Sequence, residues 1–127
     1  MIKFLFGWRY NPDLSPEQCE EHYHRVHMEL AKKAFTGVDG FVALAYNRVI
    51  EHTVNDYNRP ERIPTPTDMD AFVELWFESH EKMQQAFGNP VLGQMFEDHV
   101  NFMDCSTPAN IKVYEVEEEV FLGRRPN

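Results

Sequence analysis

The sequence predicts an α+β fold, a ferredoxin-like βαββαβ sandwich with one antiparallel sheet, two helices on one of its faces, and a second copy packed sheet to sheet. Three observations predict it. Ile2, Phe4, Phe6, Trp8 and Tyr10 alternate with other residues at the two-residue period of a strand, while Ser15 to Phe35 and Ser79 to Met103 carry helical spacing. The order of segments is strand, helix, strand, strand, helix, strand, which a split βαβ pair satisfies most economically. Finally, the strands are apolar on both faces, and a chain of 127 residues has nothing left to cover the second one. A homodimer would cover it.

The first strand ends at the turn Asn11-Pro12-Asp13. Ser15-Pro16-Glu17-Gln18 then starts a helix, with Ser15 as N-cap, Pro16 at the first helical position and Gln18 reaching back in a capping box. Cys19, Tyr23, Val26, Leu30 and Ala34 mark its buried face, and Gly37 is the expected C-cap residue. Phe41 to Ile50 reads as the second strand. His52 to Asp68 has no periodicity and carries Pro60, Pro64 and Pro66, so it reads as an inserted surface loop, with a lid or binding loop as the alternative. Met69 to Phe77 is the third strand. Ser79 caps a helix through Met83, Ala86 and Phe87, and Gly88-Asn89-Pro90 interrupts and restarts it. Val91, Leu92, Met95, Phe96, Val100 and Met103 form its apolar face, with His99 on the same side. Asn110 to Val120 is the last strand, and 123–127 a polar tail. One domain over 1–127 is expected.

Composition excludes several classes. A formal net charge of -9 leaves no basic patch for nucleic acid and disfavours anionic membranes. No apolar run is long enough to span a bilayer. The N-terminus enters a strand at once and does not read as a signal peptide. With only Cys19 and Cys105 there is no disulfide framework, so a reduced, cytoplasmic protein is expected. Ten Phe, five Tyr and two Trp supply aromatic surface for a core and for an apolar pocket.

Histidine is the suggestive chemical resource. His22 and His24 point in nearly opposite directions on a helix, and no metal-binding spacing accompanies His24 and His27, so no metal site is expected. His27 lies four residues after Tyr23 and three before Leu30, on the buried face or its border. It is either a core-edge histidine bonded to backbone or a general acid/base that an apolar wall keeps neutral. His99 invites the same argument, and helices on one sheet face would bring the two rings together across a cleft. Glu74, in parity with Phe72 and Trp76, needs a partner or a cleft. Trp8, Trp76 and Phe102 divide between core and pocket. Asp98 and Asp104 read as solvated charges at a helix end, and Glu115, Glu117, Glu118 and Glu119 as a solvated edge.

Taken together, the opening Met1-Ile2-Lys3, the helix start Leu14-Ser15-Pro16-Glu17, His22-Tyr23 followed by His27, Glu74-Leu75-Trp76-Phe77, and the stretch from Phe96 to Asp104 resemble the EthD family of the dimeric α+β barrel superfamily. The resemblance covers most of the chain outside 52–68. Tyr23 stands where the family usually has Trp, and Met28-Glu29 where Ala-Pro is common, so substrate shape does not carry over. The resemblance implies a homodimer whose sheets form a barrel, a pocket between sheet and helices, and no metal or organic cofactor. It also implies an acid/base role for the helix histidine that matches His27.

The function expected is therefore a small cofactor-independent lyase or isomerase (dehydration, cyclisation or lactone rearrangement). Its substrate would be a small aromatic, polyketide-like or lactone intermediate. His27 and His99 are the catalytic candidates, and Tyr23, Trp8, Glu74, Trp76 and Phe102 the candidates for binding substrate. The alternatives are a non-catalytic metabolite-binding accessory protein of a degradation pathway, and a haem-binding protein (with His99 as axial ligand) or cofactor-free oxygenase.

Overall fold

The computed structural model describes residues 1–123; the tail expected over 123–127 lies outside the described residues from Arg124 onward. Four strands, β1 (Ile2–Trp8), β2 (Phe41–Arg48), β5 (Ala71–Phe77) and β6 (Ile111–Glu117), form an open antiparallel sheet in the order β2-β5-β1-β6. This is the ferredoxin-like arrangement. Strand β1 stops at Trp8, and Tyr10, expected within it, makes only an isolated bridge to Met103. The segment 52–68 is not structureless: β3 (Thr53–Asn55) and β4 (Arg62–Pro64) pair as a separate hairpin. Its short strands lack an apolar alternation long enough to read from sequence.

Parity sorts the side chains between the two faces of the sheet. Phe4 pairs with Leu75, Phe6 with Val73 and Trp8 with Ala71, and this set faces the helices. Lys3 pairs with Trp76, Leu5 with Glu74 and Gly7 with Phe72 on the opposite, open face. Trp8, Phe77 and Phe102 are among the largest fully buried side chains. Each contributes roughly 1.5–3 kcal/mol through removal of apolar surface from water.

The first helical stretch starts as the sequence dictates. Ser15 Oγ accepts from Gln18 N at 3.1 Å and Gln18 Oε1 accepts from Ser15 N at 2.9 Å, closing the capping box. The helix is not uniform, however. It runs as α1 (Pro16–His22), a π-helical turn over Tyr23–His27, and α2 (Met28–Phe35), and the Met28 N–H reaches back five residues to the Tyr23 carbonyl. One extra residue in that turn advances the buried face by one position. Cys19, Tyr23 and Ala34 are buried as expected, but His27, Ala31 and Phe35 also take inward positions, and Val26 and Leu30 fall back to half-buried flanks. The helix ends with Thr36, and Gly37 (φ +75°) turns the chain away.

Helices α3 (His80–Phe87) and α4 (Val91–Asp98) complete the layer. Ser79 caps α3 through Lys82 N. At the break, Asn89 Oδ1 accepts from Val91 N at 2.9 Å, and Asn89 Nδ2 donates to the Ala34 carbonyl at 3.0 Å, tying the two helical stretches together. The expected apolar face of α4 is only partly buried. Leu92 and Met103 turn inward, whereas Phe96 and Val100 are largely exposed. Cys19 is buried and Cys105 exposed, and both are free thiols. No helix among the described residues is long and apolar enough to cross a membrane.

Candidate active site

Between the helices and the sheet lies a cavity of ≈ 370 Å³. Phe4, Phe6, Trp8, Val73 and Leu75 form its floor on the sheet side, and Tyr23, His27, Met28, Leu92, Met95 and His99 face it from the helices. The half-exposed Phe96 and Val113 stand at its edge, so the opening lies between α4 and β6. Among the described residues, none lining it is Lys, Arg, Asp or Glu.

The π turn delivers His27 to this wall, where it is only 5 % exposed. Its Nδ1 is 2.9 Å from Oδ2 of Asp98, which is 7 % exposed. Asp98 Oδ1 in turn takes His22 Nε2 at 2.7 Å and the Asn101 amide at 2.9 Å. The expectation of a solvated Asp98 is thus overturned. Asp98 lies three residues after Met95 and four before Phe102, on the inner stripe of its helix, and that spacing is the signal that identifies it. Asp104 is less enclosed and accepts from Ser106 N and Oγ.

Burial disfavours the charged Asp98 carboxylate, but donors from Asn101, His22 and His27 outweigh it and hold the carboxyl below the usual range. Burial likewise pushes His27 below the ordinary imidazole value, against the opposing pull of the Asp98 hydrogen bond. At neutral pH the ring is neutral. With Asp98 accepting the Nδ1 proton, Nε2 carries the lone pair and has no hydrogen-bond partner among the described residues. This is the arrangement of a general base held in one tautomer. His99 stands beside it, ring centroids 5.3 Å apart, and burial lowers its pKa to about 4. Burial also raises the Tyr23 phenol, keeping its proton on at neutral pH.

The other expected site residues separate cleanly. Trp8 stacks on Tyr23 at 5.3 Å along the floor, with its Nε1 buried and unpaired among the described residues. Phe102 packs on His27 at 4.7 Å and on Tyr23 at 5.4 Å, behind the lining rather than in it. Glu74 and Trp76 are not at the cavity. Their even-numbered parity puts them on the open face, where Glu74 meets Lys3 at 3.5 Å and Trp76 Nε1 donates to Glu118 at 2.8 Å. Glu118, also 3.2 Å from Lys3, is therefore partly enclosed rather than part of a solvated edge. Sequence reasoning missed Asp98, and with it His22 and Asn101.

A model of the EthD domain matches residues 11–106. The chain belongs to the EthD family. No curated protein matches it. Among solved structures it is similar to an EthD family protein of Bacillus halodurans C-125, with 18% identity, 94% of this chain and 100% of that chain covered, and a TM-score of 0.63. It is also similar to a mutant form of SnoaB, a cofactor-independent oxygenase of Streptomyces nogalater (11% identity, 97% of each chain covered, TM-score 0.60). A third is a dimeric ferredoxin-like protein of unknown function from Thermobifida fusca YX (10% identity, 91% of this chain and 88% of that chain, TM-score 0.58). At such identities the EthD chain shares with these three its fold. Among its described residues no group of three or more His, Cys, Asp or Glu is placed to hold a metal ion.

Proposed function

We propose that the cavity is a cofactor-independent catalytic site in which His27 removes a proton from a small cyclic or aromatic molecule. One observation carries this: Asp98 fixes Nδ1 of a buried, neutral His27 that lines an apolar cavity, leaving Nε2 as the base. The proton comes from a carbon next to a carbonyl or from a phenolic hydroxyl. The imidazolium formed stays beside the Asp98 carboxylate, so charge develops where a counter-charge already waits. Tyr23, protonated at neutral pH, donates a hydrogen bond to substrate oxygen. His99, neutral over the same range, orients substrate rather than delivering a proton.

The carbanion or phenolate so formed has two fates. Reprotonation elsewhere, or expulsion of a neighbouring group, gives the isomerase and lyase reactions. Capture of dioxygen gives cofactor-free oxygenation, and the likeness to SnoaB favours that second reading. We further infer that the open sheet face meets a second copy of the chain, as in a dimeric α+β barrel. The half-exposed Tyr114, paired with Leu5 on that face, and the dimeric T. fusca protein support this.

The test is a panel of unsaturated lactones, aryl ketones and hydroxylated aromatics incubated in deuterated buffer with wild type and His27→Ala. Mass spectrometry reads deuterium uptake and conversion, and an oxygen electrode separates the two fates. Wild-type exchange that falls by about 10²–10⁴-fold in the variant, with fold and oligomer intact, is the expected result. Binding by both proteins with exchange by neither would sink the catalytic reading and leave a carrier of the same ligands.

A further inference from the structure

The lining of the cavity fixes the charge of what it accepts. We infer that its ligand is an uncharged ring compound, and that carboxylates, phosphates and other preformed anions of the same size are rejected. This rests on the cavity being the ligand site proposed above. Among the described residues, the titratable side chains in its wall are Tyr23, His27 and His99, and none supplies a positive charge at neutral pH. The carboxylate behind this wall carries the wrong charge. Asp98 lies directly behind His27, 2.9 Å away.

The rim offers no rescue, since it is built from Phe96 and Val113, 60 % and 50 % exposed. Several lysines are committed elsewhere: Lys3 to Glu74 and Glu118 on the open face, Lys82 to Asp39, Lys112 to Asp68. A formal charge of -9 adds a repulsive field outside. An ionised carboxylate entering such a space loses its hydration and gains no counter-ion. Charge created inside differs, because the proton that leaves the ligand stays next to it on His27. Neutral lactones, phenols and aryl ketones therefore fit, whereas lactone acids and aryl carboxylates do not.

The experiment is a binding titration at pH 7.5, by calorimetry or Trp fluorescence, with 1-naphthol, methyl 1-naphthoate and 1-naphthoate. The two uncharged probes should bind with similar affinity, and 1-naphthoate at least about tenfold more weakly than its ester. Because the ester is larger than the acid, size cannot produce that order. In Phe96→Arg, a change the exposed rim tolerates, the gap should narrow by about threefold or more. Naphthoate binding as tightly as its ester, no binding by any of the three, or an unchanged gap in Phe96→Arg would each overturn the inference. The ranking does not depend on turnover. A carrier that never moves a proton would show it, and a catalyst for anions would reverse it.

Discussion

The two sides of the sheet treat a carboxylate differently. On the open face, Glu74 meets Lys3 at 3.5 Å and the Asn47 amide at 3.2 Å, with its side chain 24% exposed. Lys3 also serves Glu118 and lies over the Trp76 ring. One lysine serves two carboxylates there, within reach of water. On the helix side, Asp98 is enclosed and takes the His22 and His27 rings and the Asn101 amide, with no Lys or Arg beside it among the described residues. The first arrangement is a surface ion-pair network, which contributes little to stability. The second leaves a buried negative charge whose natural complement is a proton on His27. A lysine is a permanent counter-charge, while an imidazole can gain one, and that makes the carboxylate beside it chemically useful. That difference separates structure from site in this EthD protein.

Asp98→Asn should break the comparison most severely. The amide no longer holds His27 in one tautomer or stabilises its imidazolium, so proton exchange from substrate should fall by about 10²–10⁴-fold in the same deuterium assay. Asp98→Ala would in addition strand buried donors and lower stability by about 1–3 kcal/mol in denaturant titrations. Retention of exchange within about threefold by Asp98→Asn would remove the carboxylate from the mechanism.

A pH series sharpens the contrast at intermediate scale. Folded His99 titrates at about 4, and His27 also below its ordinary value, both through burial. An unfolded histidine titrates near 6.5. Below about pH 6.5 the unfolded chain therefore binds protons that the folded chain refuses, and stability is full above that pH and lost progressively toward about pH 4. Asp98, held low in the folded state, extends the loss into stronger acid. Thermal melts between pH 8 and 4 should show the decline, and His99→Phe should flatten it. A melting temperature that is level across this window would contradict the buried neutral histidines. Glu74→Gln should have the smallest effect, under about 1 kcal/mol by denaturant titration, with the affinity for 1-naphthol unchanged. Altered ligand affinity in that variant would show that the two faces are coupled.

Much of this fold is legible in the chain. The capping box at Ser15 and Gln18 and the Asn89-Pro90 break report contacts made within a few residues, and the period of two in Ile2 to Trp8 is itself a local pattern. Such contacts are written where they act. His27 and His99 were also legible as a pair, because helical spacing and the order of elements put both on one layer. Glu74 illustrates the limit. Its parity with Trp76 was readable, but both faces of β5 are apolar, so only the docked helices decide which face holds the cavity. The π turn illustrates another. Its extra residue moves His27 inward in place of Val26, and no residue in Tyr23–His27 marks the insertion.

By itself, then, the sequence determined the four strands of the main sheet and the helical stretches, their order, and a histidine facing a core, because backbone propensity and hydrophobic period are local. Tertiary structure alone decided that Asp98 binds His22 and His27, 76 and 71 positions away. Helical spacing can place that carboxylate on the inner stripe, but it does not say which side chains from the other helical stretch will meet it. Packing of the two helical stretches on one face of the sheet settles that, since it excludes water from one aspartate and leaves another at the surface.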